Sequence, residues 1–361
     1  MLRCAVLLAL LVTLACTQRW PCSAGELPEE HGCLDPARRH EPSVRLDQDN
    51  VVDFGVHLQH LRLPEPPRSG FRIVIPPRTL QPGEEQLYCV SWPFPALHNR
   101  VVYAGRLYTT RGLHHSNVFA RPVDPSRGPN PYPSCHPGAD DPFRDLPRII
   151  PDVLFGNSTQ VEGTEALVFP EGLGYAVDTT GEIISSVHIL NPTPAALRVE
   201  VAYDFFTMPR EQLVEEVVPF QMSVNQFRIP PGTRRTVSTE CDVFGGRIVS
   251  LMMHTHRLAT GTAVVQRREG APDVLIYEGG PYDTASDIRV YDPPLQLEPF
   301  DRLRFSCDFH NTLDREVRFG LGDNEMCVLF GYLAPPQQQV LAFADDEDRP
   351  CRSFHLGAFR R

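Results

Sequence analysis

Residues 247–256 read Arg-Ile-Val-Ser-Leu-Met-Met-His-Thr-His, a short apolar run that ends in two histidines. A run of this kind is typical of a β-strand. Successive side chains of a strand point to opposite faces, so His254 and His256 project to the same side, close enough to bind one metal ion. The alternative interpretation of this pair is two half-exposed polar residues near the end of a strand.

Similar runs recur along the chain, separated by 36 prolines and 25 glycines that leave little room for long helices. The runs lie at 70–76, 86–92, 100–108, 182–190, 196–206, 247–256, 274–277, 303–309 and 327–334. Their spacing predicts an all-β protein made of two tandem antiparallel β-sandwich domains of the jelly-roll kind. We place the N-terminal domain at 48–207 and the C-terminal domain at 208–361, because each then has a typical domain size.

The first 24 residues predict an export signal. Arg3 is followed by an apolar run through Ala15 that is too short to cross a bilayer. Cleavage after Ala24 and lipid attachment at Cys16, in a sequence close to a bacterial lipobox, are both open. We therefore expect a secreted, periplasmic or lipid-anchored protein without a transmembrane helix. Residues 25–47 are polar and predict an irregular extension.

Charge and cysteine content restrict the class of protein further. A formal net charge of -11 argues against nucleic acid as a partner, because phosphate binding needs a basic surface. Two of the ten cysteines, Cys4 and Cys16, lie in or beside the leader, and the other eight suit disulfides in an oxidising compartment. A zinc site made of thiolates is not expected, since the sequence has no Cys-x-x-Cys spacing.

Three further segments carry candidate metal ligands. His114 and His115 are adjacent, so both could bind one ion only at a β-bulge or a strand end. His188 could supply a third imidazole, although spacing alone favours solvated histidines in loops. Met326 precedes Cys327, and its thioether suits copper and does not suit zinc.

Taken in order, these segments resemble the copper type II ascorbate-dependent monooxygenases. The resemblance runs from about Phe71 to Cys351. It includes Ile-Pro-Pro at 75–77, Tyr-Cys at 88–89, His-His-x-x-x-Phe at 114–119, His-x-x-Asn-Pro at 188–192, His-Thr-His at 254–256 and Glu-Met-Cys at 325–327. Each segment is nonspecific alone, and the ordered set is what indicates the family.

The resemblance implies two β-sandwiches with a solvent-filled cleft between them and one copper ion on each side of it. The implied ligands of the first ion are His114, His115 and His188, and this ion stores and passes an electron. The implied ligands of the second ion are His254, His256 and Met326. These three would be the catalytic residues, because the second ion binds O2 and substrate. Ascorbate is the implied reductant.

The resemblance also implies a set of disulfides. The implied pairs are Cys89–Cys135, Cys241–Cys351 and Cys307–Cys327, with Cys22 and Cys33 left to pair with each other. The bridge at Cys327 would hold Met326 next to the metal.

The sequence departs from the peptide-amidating members of the family at the substrate wall. Those members bind a terminal carboxylate through an Arg before the His-x-His and through an Asn and a Tyr after the Glu-Met-Cys. Met252, Val328 and Phe330 stand at these positions. The sequence therefore predicts an oxidoreductase that hydroxylates a C–H bond of a small, relatively apolar substrate. A non-enzymatic copper-binding or storage protein is the first alternative, and an adhesion domain with incidental histidines is the second.

Overall fold

The computed structural model describes residues 27–29, 32–34, 51–52, 56–93, 99–121, 153–156, 162–176, 182–281, 288–320, 324–335, 340–344 and 351–355. These residues form β-strands and one short 3-10 helix at Arg210–Gln212, and none of them forms an α-helix. The prediction of an all-β protein is confirmed. Within the described ranges, no helix has the length and apolar character needed to cross a membrane.

Twelve strands lie in the N-terminal half of the chain. They are β1 (Leu27–Glu29), β2 (Gly32–Leu34), β3 (Val51–Val52), β4 (Gly70–Leu80), β5 (Glu85–Pro93), β6 (Arg100–Thr109), β7 (Leu113–Arg121), β8 (Val153–Gly156), β9 (Gly163–Val168), β10 (Leu173–Gly174), β11 (Glu182–Leu190) and β12 (Leu197–Pro209).

Eleven strands follow in the C-terminal half. They are β13 (Glu215–Glu216), β14 (Val218–Val224), β15 (Arg228–Ile229), β16 (Arg234–His254), β17 (Ala259–Arg267), β18 (Val274–Gly279), β19 (Arg289–His310), β20 (Val317–Arg318), β21 (Val328–Ala334), β22 (Val340–Ala344) and β23 (Arg352–His355). Each of the nine predicted runs lies in one of these strands or overlaps one.

The N-terminal half is a sandwich of two sheets, ordered β5-β11-β7-β8 and β3-β4-β12-β6-β9. Alternation along β11 shows how the first sheet is oriented. Val187 and Ile189 are fully buried in the shared core with Tyr203 of the second sheet. His188 lies between them in sequence and therefore faces away from that core. The outer face of the β5-β11-β7-β8 sheet is thus the face that carries the histidines.

The C-terminal half is built on one eight-stranded sheet, ordered β18-β17-β19-β16-β21-β14-β22-β23. Its pairs are antiparallel except for β14 with β22. The long strands β16 and β19 pair along most of their length, with register shifts between Asp242 and Phe244 and between Ile248 and Ser250. Bulges bend a sheet, and this bending lets Phe220 of β14 and Phe305 of β19 pack in one core.

The two halves are in direct apolar contact. Tyr332 of β21 packs its ring against Phe169, with ring centroids 4.9 Å apart, and its hydroxyl donates to the Val153 carbonyl oxygen at 3.2 Å. Tyr332 belongs to the hydrophobic cluster of the N-terminal half. The predicted division after Thr207 falls inside β12, which continues to Pro209, and the division itself stays a prediction.

Two of the implied disulfides are present, Cys307–Cys327 and Cys241–Cys351. Cys89 is also disulfide-bonded, and its implied partner Cys135 lies outside the described residues. The predicted leader with Cys16 and Cys22 lies outside them too. Within the extension predicted as irregular, β1 and β2 form an antiparallel pair.

Candidate metal centre

A β-bulge brings His114 and His115 to the same side of β7. His115 is paired in register with His188 of β11, whereas the next residue of β11, Ile189, pairs with Leu113. His114 is therefore the extra residue of the bulge, and two histidines of β7 lie opposite one of β11. This geometry is the bulge that adjacent histidine ligands require, and the alternative of solvated loop histidines does not describe these strands.

The entry to this bulge depends on Gly112. Its φ is +104°, in the region that favours glycine, and an added Cβ would lie 2.7 Å from Val199 Cγ2 and 2.8 Å from Leu197 Cδ2. A side chain at this turn would thus collide with β12. Because glycine avoids this collision, β7 can begin at Leu113 and reach His114 one residue later.

His188 is oriented by a carboxylate. Its Nε2 donates to Glu85 Oε1 of the neighbouring strand β5 at 2.5 Å, and its Nδ1 is buried without a hydrogen-bond partner in the described residues. The hydrogen bond keeps the proton on Nε2 and leaves the lone pair of Nδ1 free. The same hydrogen bond lowers the pKa of Glu85.

β16 ends at His254, His256 lies two residues beyond that end, and a buried glutamate holds this segment and the turn that follows. Glu325 accepts hydrogen bonds from the backbone N–H of His256 at 2.9 Å and of Leu258 at 2.7 Å. Burial raises the pKa of Glu325 to about 7. His256 Nδ1 donates to the Asn324 carbonyl oxygen at 2.8 Å, so its Nε2 keeps a free lone pair, and this atom is buried and unpartnered.

The five histidines form one cluster that spans both halves. In the first implied ligand set, the ring centroids lie 5.0 Å apart for His114 and His115, 4.6 Å for His114 and His188, and 4.8 Å for His115 and His188. In the second set, the ring centroids of His254 and His256 lie 5.3 Å apart. Between the sets, the ring centroids of His114 and His256 lie 5.0 Å apart, and those of His115 and His254 lie 4.9 Å apart. The resemblance implied a solvent-filled cleft between the two sets, and at the histidines the rings are instead in contact.

The chemistry of this cluster fits copper. The ligand atoms of His114, His115 and His188 all lie within 4.8 Å of one another. Three buried ring nitrogens have no hydrogen-bond partner among the described residues: Nδ1 of His115, Nδ1 of His188 and Nε2 of His256. Such an arrangement costs free energy unless something binds these atoms. Burial lowers the pKa of His114, of His115 and of His254, and lowers that of His256 to about 4. Neutral imidazoles are the form that coordinates metal.

Met326 adjoins in sequence the residues that support the second pair of histidines. It is half-buried, and it stands between Glu325, which holds the His256 turn, and Cys327, which is bonded to Cys307. Register points to the same place, because His254 pairs with Val328 in antiparallel strands. Continued beyond the strand ends, two residues forward from His254 and two residues back from Val328, the same register would put Met326 opposite His256.

An apolar cavity that opens to solvent lies beside the cluster, and its volume is about 30 Å³, counted as space for the centres of water molecules. Both halves line it, with Asn117, Val153, Gly156 and Leu167 from one half and Pro219, Phe220, Ser250, Met252, Ile288, Phe330, Gly331 and Tyr332 from the other. Met252 and Phe330 come from the predicted substrate wall, and the Phe330 ring lies 6.3 Å from that of His254. Val328, the third wall residue, is buried opposite His254.

Sequence reasoning missed the residues that support the cluster. Glu85 and Asn324 hold the rings of His188 and His256 through hydrogen bonds, and Asn117 lines the cavity. Glu325 was visible as part of the Glu-Met-Cys motif but had no role assigned to it. None of these residues could be recognised without the pairing of distant strands.

Comparisons with known proteins give a family match for most of the C-terminal half. Residues 217–347 match the family described as copper type II ascorbate-dependent monooxygenase, C-terminal domain. A comparison with curated proteins finds no match. Among solved structures, "Structure of infectious bursal disease virus Gx strain" aligns at 12% identity over 72% of this chain and 75% of that one, with a TM-score of 0.15. A score this low carries no argument about fold or function.

Proposed function

Because residues 217–347 belong to the copper type II ascorbate-dependent monooxygenases, we propose that this chain hydroxylates a C–H bond of a small, relatively apolar substrate. The observation that carries the proposal is the contact between the two histidine sets beside an apolar cavity. O2 and a one-electron reductant such as ascorbate would be the co-substrates. The disulfides suit an oxidising compartment, and we propose that the protein acts outside the cytoplasm.

We assign two copper ions per chain to the two ligand sets. His114, His115 and His188 would hold one ion, and His254, His256 and Met326 would hold the other. Copper supplies the one-electron redox chemistry that activation of O2 requires. The protein presents neutral imidazoles with free, buried lone pairs, and Glu85 and Asn324 fix which nitrogen of His188 and His256 carries the proton.

The cavity walls restrict the charge of the substrate. The side chains of Met252 and Phe330 offer no hydrogen-bond donor, and none of the described residues that line the cavity is charged. A carboxylate there would be desolvated without a cationic partner, at a cost of several kcal/mol. An alkyl or aryl group would instead gain about 25 cal/mol per Å² of apolar surface removed from water.

Ascorbate-dependent turnover tests the proposal directly. The copper-loaded chain is supplied with O2, ascorbate and small aryl or alkyl compounds, and hydroxylated product is measured against oxygen uptake. Product that requires both copper and ascorbate supports the proposal. Tight copper binding without any product would favour the storage protein, and failure to bind copper would favour the adhesion domain.

Copper–sulfur scattering tests the second ligand set. X-ray absorption of the reduced, copper-loaded protein is expected to show a sulfur shell, because a thioether favours cuprous copper. Met326→Ile should abolish that shell with little change in volume. A sulfur shell that survives the substitution would contradict the assignment of Met326.

Peptide turnover tests the substrate wall separately. A glycine-extended peptide should bind at least about a hundredfold more weakly than a neutral aryl compound, because its carboxylate stays unpaired. Met252→Arg combined with Val328→Asn and Phe330→Tyr should begin to confer α-hydroxylation of such peptides. Robust peptide turnover by the unmodified protein would refute this interpretation of the wall and would leave the copper assignment intact.

A further inference from the structure

One strand from each half continues from the histidine cluster into the cavity. His115 of β7 and His254 of β16 are in contact, with ring centroids 4.9 Å apart. Two residues along each strand, and on the same face, Asn117 and Met252 line the cavity. Two residues of a strand span about 7 Å, so the cavity wall begins about 7 Å along each strand from the histidines.

Gly156 fixes how closely these two side chains approach. It pairs in register with Asn117 across β7 and β8. A Cβ added to Gly156 would lie 2.9 Å from Asn117 Oδ1 and 4.0 Å from Met252 Cε. The Asn117 carboxamide and the Met252 methyl group therefore both lie close to Gly156, which has no side chain. The absence of a side chain at Gly156 thus makes room for the Asn117 carboxamide.

The Asn117 carboxamide is a polar group available to a ligand. It is half-buried on the cavity wall, and the hydrogen bonds of the described residues include none to its side chain. The hydroxyl of Tyr332, another polar group of the lining, already donates to the Val153 carbonyl oxygen. The Leu167, Ile288 and Phe330 side chains nearby are apolar. The cavity thus combines an apolar body with a donor and an acceptor side by side.

We infer that Asn117 anchors the substrate and that the substrate is a small neutral amide with an alkyl or aryl body. This inference rests on the proposed function. A carboxamide places one donor beside one acceptor, and Asn117 presents the complementary pair, so two hydrogen bonds form. The apolar body then extends along the Met252 and Phe330 wall towards the histidines. A carboxylate would meet only neutral polar groups among the described lining residues and would not be neutralised.

Binding of three probes of nearly equal shape tests this inference without turnover. The probes are 3-phenylpropanamide, 4-phenylbutan-2-one and 3-phenylpropanoate, titrated calorimetrically into the full-length copper(I)-loaded chain in the absence of O2. The amide should bind about tenfold more tightly than the ketone, because the ketone lacks the N–H donor. The carboxylate should bind most weakly.

Two variants remove the preference in independent ways. Asn117→Leu keeps the side-chain size and deletes both hydrogen-bonding groups. Gly156→Ala keeps Asn117 but places a methyl group 2.9 Å from its Oδ1 atom, closer than such contacts allow, so the carboxamide must shift from its present position. Both variants should bind amide and ketone with equal affinity. Met252→Leu is the matched control, since it changes apolar contact alone and should shift both probes by one common factor.

The outcomes separate this inference from the proposed function. Loss of the amide preference in both Asn117→Leu and Gly156→Ala supports it. A preference that persists in either folded variant, or its absence in the unmodified protein, overturns it. If no probe binds the unmodified chain, the inference also falls, whereas ascorbate-dependent hydroxylation of some other compound would leave the proposed function standing.

Discussion

At the scale of single residues, the contact between Glu85 and His188 leads to a prediction about copper affinity. Removal of a carboxylate that orients a metal-binding histidine typically weakens metal binding by about 10- to 100-fold. We expect Glu85→Ala to weaken copper binding at the set that contains His188 by this factor, because the ring loses the partner of its Nε2. Glu85→Gln should lose less, since the amide oxygen still accepts the hydrogen bond. Competition titration with a chromophoric chelator measures both.

The neighbouring residue provides the control for that prediction. Glu84 accepts hydrogen bonds from the Gln81 backbone N–H and the Gln86 side chain. Glu84→Gln removes one negative charge from the residue just before β5, as Glu85→Gln removes one from the first residue of β5. Equal loss of copper affinity in these two variants would mean that general electrostatics, and not the contact with His188, determines the effect.

The histidines could be predicted from the sequence and their arrangement could not. Spacing alone places His254 and His256 on one face of a strand, whereas in the structure the strand ends at His254 and the two rings come within 5.3 Å of each other across its end. For His114 and His115, spacing required a bulge or a strand end but gave no sign of either, because the bulge exists through pairing with β11, about 70 residues away. The contact between the two sets depends on how the halves pack, which no local pattern encodes. Metal binding itself stays a prediction.

At the scale of elements, the same turn follows one strand in each half. Asn191 after β11 and Asn311 after β19 are fully buried. The side-chain amide of Asn191 donates to the Leu80 and Ala195 carbonyl oxygens, and that of Asn311 donates to those of Ile229, Pro230 and Arg315. Each Oδ1 accepts the backbone N–H two residues later. Each asparagine therefore ties its turn to a neighbouring segment.

This shared turn gives a paired prediction. Asn191→Ala and Asn311→Ala should each lower the free energy of unfolding by about 2–3 kcal/mol, because buried carbonyl oxygens lose their donors. Asn191 follows the proposed ligand His188 by three residues, so its replacement should also weaken copper binding at the first set. Asn311→Ala should leave that affinity within about twofold. Urea unfolding and copper titration give the two quantities, and equal loss of copper affinity in both variants would contradict the proposed link.

The strand pattern could be predicted where an apolar run marks each element. All nine such runs lie in or overlap strands. β7 was missed because Leu113–Arg121 mixes polar and apolar residues, with Val118 facing the core and Asn117 facing the other half. β19 was predicted too short, since much of its first half is exposed and carries no apolar signal. Such strands are defined by their partners more than by their own residues.

At the scale of the whole molecule, the site exists because the two halves are packed together. His114 and His115 come from one half, and the histidines they contact, His254 and His256, come from the other. The cavity is likewise lined from both sides. An apolar interface resists relative motion of domains more than a polar one does. The structure therefore favours a site that is assembled before substrate arrives.

Tyr332 offers a test of this coupling, because it belongs to the C-terminal half but packs in the cluster of the N-terminal half. Tyr332→Ala removes a buried aromatic ring and should cost about 3–5 kcal/mol. If the halves fold as one unit, the unmodified protein shows a single calorimetric transition and the variant moves all of it to lower temperature. Tyr332→Phe is the control: it keeps the contact with Phe169 and loses the hydrogen bond to Val153, worth about 1 kcal/mol. Tyr332→Ala should also weaken copper binding at both histidine sets. Two separate transitions, with only one shifted by Tyr332→Ala, would show that the halves unfold independently and that the contact between the histidine sets is not maintained by this interface.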